Sequence, residues 1–598
     1  MCGIVGARDE WLRSDGLEPE AALRAALDEM RWRGPDEVGI QRAGGWWLGC
    51  ARLAISGPGR PQPVVRRGGR YVGVMNGAVT NARALWAKFA PGIERRAMPP
   101  NDAWLPLLAV EAGDYEALEE LRGHHAYAVV DTQTDQVVYG VDRYGEKPLE
   151  AVFERNDAQP PQLVAFASTS SALARLGVDE NQFRPDPAPW FRFGWTPRRS
   201  DLTPNARVDT PTHRRVAPRP IGQRRGDADS GDLRMNLESS LRRCLDTPAR
   251  AGLFLSGGVD SSCLALSLAR IDRSIPAYQF RAAGAPSQER DAAREVARAA
   301  DLPLQEIDGG PEVLDALPRL TGHAGAPLGD PSILAVHAVG RAAAADGVRV
   351  LLGGEGADEL LLGYRRYQLL ARLPRLRSLA KLPHSSWSMS TMARAWRAMV
   401  GRDPVRSLLA VTPPAFGREV LSEALVEPGF WNDADPIETD GGSLALAGRD
   451  YDLQNYLPCD LLPKLDVALM AAGVEGRCPY LEAGIESFGE SLDALGKRPL
   501  RRAFQDELPR SVQTLPKRGF SLPLNEWFRG ALPALDVLAE RRSRERDHLR
   551  PGGMARAVDQ HRSGRADLGH GLYLLYAYEV YLRDVEAREA LSLDSNSR

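Results

Sequence analysis

The part of the sequence that most constrains the fold lies at residues 250–270, where an apolar run enters a glycine-rich turn and then a helical pattern. The run reads RAGLFL, the turn Ser256–Ser262 reads SGGVDSS, and the helical stretch reads SSCLALSLAR. Glycines let backbone N–H groups face an anion, and a helix N-terminus adds its positive dipole end. The pattern predicts a strand, a phosphate-holding loop and a helix; a glycine-rich turn without a ligand is the alternative.

Length and composition predict a multidomain globular protein. A chain of 598 residues is too long for one core, and 43% hydrophobic with 26% charged residues is ordinary for a soluble protein. The net charge is only -3 and no long Lys or Arg run occurs, so we expect no nucleic-acid partner. No apolar run reaches the ~18 residues of a membrane span, and no signal-peptide pattern is present, so we expect no membrane association.

The cysteines are scattered along the chain and form no CxxC pair, which argues against a zinc site. Their number and spacing fit a reducing cytoplasm. The six are Cys2, Cys50, Cys244, Cys263, Cys459 and Cys478.

The pattern of elements divides the chain into three parts. Residues 1–205 alternate short strands with helices, which predicts an α+β domain with sheets; Glu20–Arg31 has helical spacing. Predicted strands are 2–7, 47–55, 71–75, 125–131, 136–141 and 163–168. Residues 206–232 are rich in Pro, Arg, Gly and Asp and read as a linker.

Residues 233–598 show a different pattern. Strands at 250–255, 275–280 and 348–352 alternate with helices at 261–270 and 289–300, which predicts a doubly wound parallel sheet. From Leu360 onward the pattern is mostly helical. Residues 571–585 are apolar on nearly every face, so we expect a buried C-terminal helix.

The N-terminus offers a candidate nucleophile. Once Met1 is removed, Cys2 carries a thiol and a free α-amine, whose pKa near 7.7–8.0 lets it take the thiol proton. From its position alone, Cys2 is equally well explained as a small buried residue of the first strand.

Several segments around Cys2 together resemble the class II glutamine amidotransferase domain of the asparagine synthetase family. They are RWRGPD at 31–36, ARLAI at 51–55, Asn76-Gly77, Asn101-Asp102, LRGHHAYA at 121–128 and DRYGEKPL at 142–149. The resemblance implies an N-terminal-nucleophile glutaminase fold, with sheets sandwiched by helices, and Cys2 as nucleophile.

The same resemblance implies roles for the residues that would hold glutamine. Arg52 clamps the substrate carboxylate through a bidentate fork, and Asp102 pairs with its ammonium. The Asn76 side chain and the Gly77 N–H stabilise the oxyanion that forms when Cys2 attacks the amide.

The second half resembles the family's ATP pyrophosphatase domain, which cleaves ATP between its α and β phosphates. The SGGVDSS loop is not a Walker A motif, and further matches are GGEGADEL at 353–360, EGRCPYLE at 475–482 and LPKRGF at 515–520. The resemblance implies Mg²⁺ on Asp260 and Asp358, Glu355 near the activated carboxylate, and Lys517 as a cation for the phosphates. It places ATP against Phe254, Leu255, Ser256, Gly257, Gly258, Asp260, Ser261, Ser262, Gly353 and Gly354.

The sequence departs from the family pattern at several positions. Trp32 replaces a histidine, while Ala78 and Trp104 stand where acidic residues are usual. On the acceptor side, Gly325-Ala326 precedes Pro327 in place of Asp-Glu, and Val467 replaces an arginine after Asp466. The changes at Trp32, Ala78 and Trp104 affect the expected affinity for glutamine. Those at Gly325-Ala326 and Val467 affect which carboxylic acid the enzyme is expected to amidate.

Together these matches imply an ATP-dependent, glutamine-hydrolysing ligase that converts aspartate to asparagine and releases AMP, pyrophosphate and glutamate. Alternatives are the same chemistry on a sugar acid or specialised metabolite, an amide-forming cyclase, and a non-catalytic relative. The expected partners are glutamine, ATP and the carboxylate, in the cytoplasm, with a homodimer left open. Ammonia loss to bulk water would be avoided by an apolar passage between the domains.

Overall fold

The structure is a computed structural model. It describes the chain except residues 1, 56–60, 90–100, 157–158, 180–181, 186, 188–189, 192–193, 196–211, 216–231, 377–442, 515–521, 531 and 597–598. Lys517 and the LPKRGF segment therefore lie outside the described residues, as does most of the predicted linker.

Two antiparallel sheets form the first domain. One has the order β10-β8-β9-β1-β3-β2 and the other β4-β5-β6-β7. The strands are β1 (Cys2–Arg8), β2 (Glu37–Ala43), β3 (Trp46–Arg52), β4 (Val64–Arg66), β5 (Tyr71–Val79), β6 (Gly123–Asp131), β7 (Gln136–Val141), β8 (Glu150–Asn156), β9 (Gln159–Ala167) and β10 (Thr212–Arg215).

The inner faces of these sheets pack on each other, and helices cover the outer faces. Ile4, Leu48 and Val74 belong to the cluster between the sheets. Leu23 and Leu27, the apolar stripe of the helix predicted at Glu20–Arg31, are fully buried against the first sheet. The helices of this domain are α1 (Asp9–Ser14), α2 (Pro19–Glu29), α3 (Ala82–Phe89), α4 (Trp104–Ala112) and α5 (Ser170–Ala174). This is the predicted glutaminase-type α+β architecture.

The second domain contains a parallel sheet of five strands in the order β13-β12-β11-β14-β15. The strands are β11 (Ala251–Phe254), β12 (Ala277–Ala282), β13 (Leu304–Gly309), β14 (Val350–Leu352) and β15 (Glu475–Arg477). The strand order reverses at β11, because its two neighbours are β12 and β14. Ligands of doubly wound sheets bind at such a switch point, beyond the carboxyl ends of the strands. The SGGVDSS turn follows β11 at that point.

Helices surround the parallel sheet and make up the rest of the domain. They are α6 (Leu233–Cys244), α7 (Val259–Leu268), α8 (Gln288–Ala300), α9 (Leu317–Ala324), α10 (Ser332–Ala345), α11 (Ala357–Leu360), α12 (Arg365–Leu376), α13 (Leu444–Tyr451), α14 (Leu462–Met470), α15 (Pro479–Glu482), α16 (Arg498–Ala503), α17 (Arg510–Thr514), α18 (Leu524–Arg529), α19 (Pro533–Ala539), α20 (Arg541–Arg544), α21 (Gly553–Arg562) and α22 (Gly569–Asn596). A π-helical segment, Asp452–Leu461, precedes α14.

Shorter 3-10 turns connect these elements. They are Arg67–Gly69, Glu116–Leu118, Pro311–Ala316, Glu486–Gly489 and Leu492–Ala494. The C-terminal helix α22 carries the apolar segment predicted at 571–585, and Leu572, Tyr573 and Leu574 are fully buried. Within the described residues, no helix has the length and apolarity that crossing a bilayer requires.

The segment predicted as a linker contributes one strand to the first domain. β10 pairs antiparallel with β8, so His213 lies opposite Val152. Four residues of the 206–232 segment therefore belong to the first sheet, while 206–211 and 216–231 lie outside the described residues. The boundary at residue 205 stays a prediction.

Candidate functional site

The first site is built where β1, β3 and β5 meet. Cys2 is 3% exposed and lies directly opposite Arg52 on β3. The Cys2 backbone N–H donates to Asn76 Oδ1 on β5 at 2.9 Å. This bond sets the orientation of the Asn76 side-chain amide. Its oxygen accepts the Cys2 N–H, and its nitrogen points elsewhere. Asn76 Nδ2 is buried and has no hydrogen-bond partner in the described structure. Such a donor is poised for an oxyanion beside Cys2.

Gly77 follows Asn76 in a conformation that only glycine adopts easily. Its φ is 117°, and a Cβ there would lie 1.9 Å from the carbonyl oxygen of His124. The close approach of β5 to β6 at this point therefore excludes any side chain. The Gly77 position fits the predicted role of a backbone donor next to Asn76.

Two charged residues predicted to hold glutamine lie near this site. Arg52 is 3% exposed, and its Nη1 donates to Glu37 Oε2 at 2.6 Å. A guanidinium presents its N–H donors in a planar fork, which is the geometry that matches a carboxylate. Asp102 accepts the Val79 N–H at 3.0 Å. The structure thus has a buried cation and a buried carboxylate at the two positions predicted to hold glutamine.

Two residues beside the Cys2 sulfur were not predicted from the sequence. Gln62 Nε2 lies 3.8 Å from Cys2 Sγ, and Cys50 sits on the adjacent strand β3. A hydrogen bond from Cys50, together with the charge of Arg52, lowers the pKa of the Cys2 thiol to about 6, against the opposing effect of burial. The thiolate is the reactive form of cysteine, so this environment suits a nucleophile.

Removing the Asn76 side-chain amide should show how much it contributes to stabilising the oxyanion. We expect Asn76→Ala to lower the rate of glutamine hydrolysis by ~10²–10³-fold, the usual effect of losing one oxyanion donor. A glutamate-release assay measures this. Asn81 is the matched control, because its Nδ2 donates to Glu120 O away from Cys2, and Asn81→Ala should hydrolyse glutamine normally. Equal rates for both variants would contradict the assignment of Asn76.

Asp102 predicts a pH dependence of glutamine binding. Burial raises the pKa of Asp102 to about 6, in spite of the Val79 N–H bond, so the empty site holds a neutral acid at low pH. Because the substrate ammonium needs the ionised carboxylate, we expect KM for glutamine to rise as pH falls below about 6. A pH series of KM on the wild type and on Asp102→Asn checks this. A KM that stays constant across this range in the wild type would contradict it.

The second site is a cleft of about 1140 Å³ above the switch point of the parallel sheet. Ligand clefts usually measure about 300–1,000 Å³, so this one has room for a nucleotide beside a second molecule. Eight of the residues that the sequence predicts for this site line the cleft: Phe254, Ser256, Gly258, Asp260, Ser261, Gly354, Glu355 and Asp358. The remaining four predicted ATP residues, Leu255, Gly257, Ser262 and Gly353, are not on its wall.

The turn after β11 is held in shape by glycine and serine. Gly257 has a φ of 84°, and a Cβ there would lie 2.2 Å from the Glu289 carbonyl oxygen. Ser262 Oγ donates to the Gly258 carbonyl oxygen at 2.7 Å, at the start of α7. Ser256 and Ser261 hydroxyls lie 3.0 Å apart across the turn. These contacts support an open loop with the α7 N-terminus behind it.

A single methyl group at Gly257 should disable this loop. We expect Gly257→Ala to lower ATP-dependent activity at least tenfold, because the added Cβ clashes with backbone and the positive φ is strained. Gly347 is the control, since it has a φ of 78° with open space around its Cβ position. Pyrophosphate release measures both, and a Gly257→Ala variant no worse than Gly347→Ala would contradict the expectation.

The structure brings the two predicted magnesium ligands together around a lysine that the sequence analysis missed. Lys497 Nζ lies 2.6 Å from Asp260 Oδ2 and 2.8 Å from Asp358 Oδ1. Lys497 is only 3% exposed and has a φ of 58°, just before α16. Both aspartates raise the pKa of Lys497, in opposition to burial. The pairing places a cation and two carboxylates beside the phosphate loop.

The far end of the cleft carries a second group of charged residues. Lys464, on α14, donates to Asp330 at 3.0 Å. Burial raises the pKa of Glu355, and burial also raises that of Asp460 well above its usual range. Val467, which replaces the usual arginine, is 6% exposed within the domain core. This part of the cleft therefore places Lys464 among the carboxyl groups of Asp330, Glu355 and Asp460.

A buried network of charges joins the two domains between these sites. Asp466 on α14 accepts from Arg33 Nη2 at 2.7 Å and from Lys147 Nζ at 3.0 Å. Arg33 Nε also donates to the Cys2 carbonyl oxygen at 3.2 Å. A few residues therefore connect the backbone of Cys2 to the helix that carries Lys464.

The EGR segment of β15 makes a second connection between the domains. His124 Nε2 lies 3.1 Å from Glu475 Oε1, which also accepts from Arg477 Nε at 2.6 Å. Trp32, the replacement for the family histidine, stacks on His323 of α9 with ring centroids 4.4 Å apart. The Trp32 departure therefore builds a contact across the interface.

A buried Cys2 on a pair of antiparallel sheets, followed by a glycine-rich loop at the switch point of a parallel sheet, is the arrangement of a two-domain amidotransferase. Residues 1–199 match the model of the glutamine amidotransferase domain, and residues 232–583 match that of asparagine synthase. The chain belongs to the asparagine synthase family and is a ligase of this type.

Similar proteins cover between about three fifths and nearly all of the chain. A putative glutamine-hydrolysing asparagine synthetase of Mycobacterium tuberculosis is 27% identical over 97% of both chains. Asparagine synthetase 1 of Bacillus subtilis is 22% identical over 97% of this chain and 96% of its own. Asparagine synthetase B of Escherichia coli is 26% identical over 61% of this chain and 65% of its own.

Proposed function

We propose that this enzyme releases ammonia from glutamine at Cys2 and uses it to amidate a carboxylate that it activates with ATP. The observation that carries the proposal is the presence of two separate groups of polar residues in one chain. Cys2 lies against the unpartnered Asn76 Nδ2 in the first domain. Asp260, Asp358 and Lys497 meet beside the phosphate loop in the second.

The glutaminase half follows from the geometry around Cys2. After Met1 is removed, the α-amine of Cys2 takes the thiol proton, and the sulfur bonds to the amide carbon of glutamine. The carbonyl oxygen becomes an oxyanion that Asn76 Nδ2 and the Gly77 N–H stabilise. When the C–N bond breaks, the nitrogen takes a proton and leaves as ammonia. Water then hydrolyses the thioester to glutamate and restores Cys2.

In the synthetase half, a carboxylate oxygen of the acceptor attacks the α-phosphate of ATP. Pyrophosphate leaves, and an acyl-adenylate remains. Ammonia attacks its carbonyl carbon, and the product is an amide with AMP as the leaving group. Lys497 lies where it can neutralise phosphate charge, and Glu355 lines the same cleft. Lys517, outside the described residues, is proposed to assist in neutralisation.

The donor set next to the phosphate loop fits Mg²⁺. Asp260 and Asp358 supply two carboxylates, and the described residues assemble no group of three or more His, Cys, Asp or Glu ligands. Mg²⁺ is typically held by one or two carboxylates with substrate phosphates and water. Asp260 and Asp358 would hold the ion, which supplies positive charge to the phosphates, and Lys497 would share these carboxylates with it.

We propose an apolar passage for ammonia between the domains. Leu53 and Ile55 follow Arg52 and are 2% and 6% exposed. Both belong to the hydrophobic cluster of the second domain, together with Leu465 of α14. Leu53, Ile55 and Leu465 thus share one hydrophobic cluster, which could line such a passage beside the charged Arg33–Asp466–Lys147 network. This shared cluster supports the passage, since unprotonated ammonia needs no charged partner.

We propose aspartate as the acceptor, with a sugar acid or a specialised-metabolite carboxylate as the second candidate. The family match favours aspartate, whereas Val467 and the Gly325-Ala326 pair favour a different acid. The test is pyrophosphate and AMP release with ammonia over a panel of carboxylic acids. Release with aspartate supports the first, and release only with another acid supports the second. No release with any acid would contradict the synthetase function.

The remaining expectations concern the surroundings of the enzyme. All six cysteines are free thiols, which supports a reducing cytoplasm as its location. We propose small molecules as its partners, with a homodimer as a further candidate. Size-exclusion chromatography with light scattering measures the oligomeric state.

A further inference from the structure

Two side chains that no motif identified surround the sulfur of Cys2. Gln62 is 6% exposed and Cys50 is 1% exposed, so water does not compete for their polar groups. Both carry hydrogen-bond donors, an amide N–H in Gln62 and a thiol S–H in Cys50.

The orientation of the Gln62 amide follows from its own hydrogen bonds. Its Oε1 accepts the Met75 backbone N–H at 2.7 Å, and its Nε2 donates to the Met75 carbonyl oxygen at 3.0 Å. A flipped amide would lose both bonds, so the nitrogen must face the site. An amide nitrogen has two N–H groups, and Met75 uses one. The other is available for Cys2 Sγ, 3.8 Å from Nε2.

The position of Cys50 follows from strand pairing. Cys2 lies opposite Arg52, and Cys50 is two residues before Arg52 on β3, so Cys2 and Cys50 are diagonal neighbours on one face. Burial raises the pKa of Cys50 well above its usual range, and the neighbouring Cys2 adds to this effect. Both the strand position of Cys50 and the direction of its pKa shift fit a protonated S–H group facing an ionised Cys2 sulfur.

We propose that Gln62 and Cys50 form a two-donor cradle that stabilises the Cys2 thiolate and aims it at the substrate amide. The proposal rests on the glutaminase function above. Gln62 supplies an N–H from the β5 side, and Cys50 supplies an S–H from β3. Charged groups that also face Cys2 are the N-terminal amine, Arg52 on β3, and Arg33 at the Cys2 carbonyl oxygen. Neither cradle residue needs to touch glutamine, so their effect falls on the nucleophile.

The test measures the thiol without turnover. The full-length protein is treated with iodoacetamide over a pH series, and modification of Cys2 is followed by mass spectrometry of its peptide. For Cys50→Ala we expect the pH midpoint of the alkylation rate to rise by about one unit, as loss of a hydrogen bond to a charged form predicts. Cys50→Ser should retain most of the wild-type midpoint, because its hydroxyl also donates.

Two further variants separate the cradle from general packing effects. Cys244→Ala leaves a similar cavity in the second domain and should not move the midpoint, since Cys244 is buried in a different cluster. Gln62→Met removes the N–H groups at similar length and should raise the midpoint as well. In glutamine hydrolysis, Cys50→Ala should lower kcat and leave KM unchanged.

A midpoint that stays the same in Cys50→Ala and in wild type would overturn the role of Cys50. An upward shift in Cys50→Ala that Cys50→Ser does not restore would also overturn it. Failure of the glutaminase function has a different signature: the wild type would release no glutamate, whatever the alkylation profile shows.

Discussion

Replacing Cys2 with alanine should abolish glutamine-driven amidation and leave ammonia-driven amidation intact. In the proposed mechanism the Cys2 sulfur attacks the amide carbon of glutamine, so its removal should lower glutamate release by roughly 10³-fold or more. The Asp260–Lys497–Asp358 cluster lies in the other domain, so ATP-dependent chemistry with added ammonia should proceed. Parallel assays of glutamate, amide and pyrophosphate on the purified variant measure both halves.

The matched control is Cys244→Ala, which removes a buried thiol of the second domain. It should keep both the glutamine-driven and the ammonia-driven reactions. If Cys2→Ala kept glutamine-driven amidation, Cys2 would not be the nucleophile. If Cys2→Ala lost the ammonia-driven reaction as well, the two sites would not be separable.

Removing the carboxylate of Asp466 should cost the protein a large part of its stability. Asp466 is 2% exposed, and its partners Arg33 and Lys147 are 1% and 3% exposed in their side chains. Burial opposes ionisation, yet the charges of Arg33 and Lys147 lower the pKa of Asp466 below its usual value. In Asp466→Ala, two buried cations lose their partner, which costs about 3–5 kcal/mol.

The effect of Asp466→Ala should appear as earlier unfolding in denaturant and as weaker coupling between the domains. Glutamate should be released with less amide formed per glutamine, because Arg33 also holds the Cys2 carbonyl oxygen. The control is Glu20→Ala, which breaks an exposed pair with Arg24 and should cost less than about 1 kcal/mol. Equal stability losses in the two variants would contradict the structural role of Asp466.

Local sequence patterns were sufficient to locate the elements that carry chemistry. The apolar run at 250–255 predicts β11 within one residue at each end, since β11 spans Ala251–Phe254. The turn beside it is predictable because its glycine and serine contacts are almost all short-range. The parallel sheet of the second domain also followed from these patterns, because its strands alternate with helices. The glutaminase-type fold of the first domain was implied by the family resemblance.

The site residues that the sequence analysis missed depend on contacts between distant parts of the chain. Lys497 meets Asp260 across 237 positions, and its neighbours in sequence carry no phosphate-loop pattern. Gln62 and Cys50 become donors to Cys2 only because β1, β3 and β5 converge. Strand pairing of this kind has no signature in a single segment.

The departures from the family pattern have structural explanations in this chain. Ala78 lies opposite His124 in the β5–β6 pair and is 9% exposed, so it fills a tight position between strands. Trp104 begins α4 and packs against a hydrophobic cluster, with the Arg66 guanidinium 5.9 Å from its ring centroid. At both positions an apolar side chain packs where the family usually has an acidic residue. Asp102 is then the acidic residue proposed to pair with the glutamine ammonium.

The most direct test of the two-site account follows the nitrogen atom itself. Glutamine labelled with ¹⁵N in its side-chain amide is supplied with ATP, the active acceptor acid and an excess of unlabelled ammonium, and the amide product is analysed by mass spectrometry. Transfer through the protein predicts a product that keeps most of the ¹⁵N label. A product whose label matches that of the bulk ammonium pool would contradict the account.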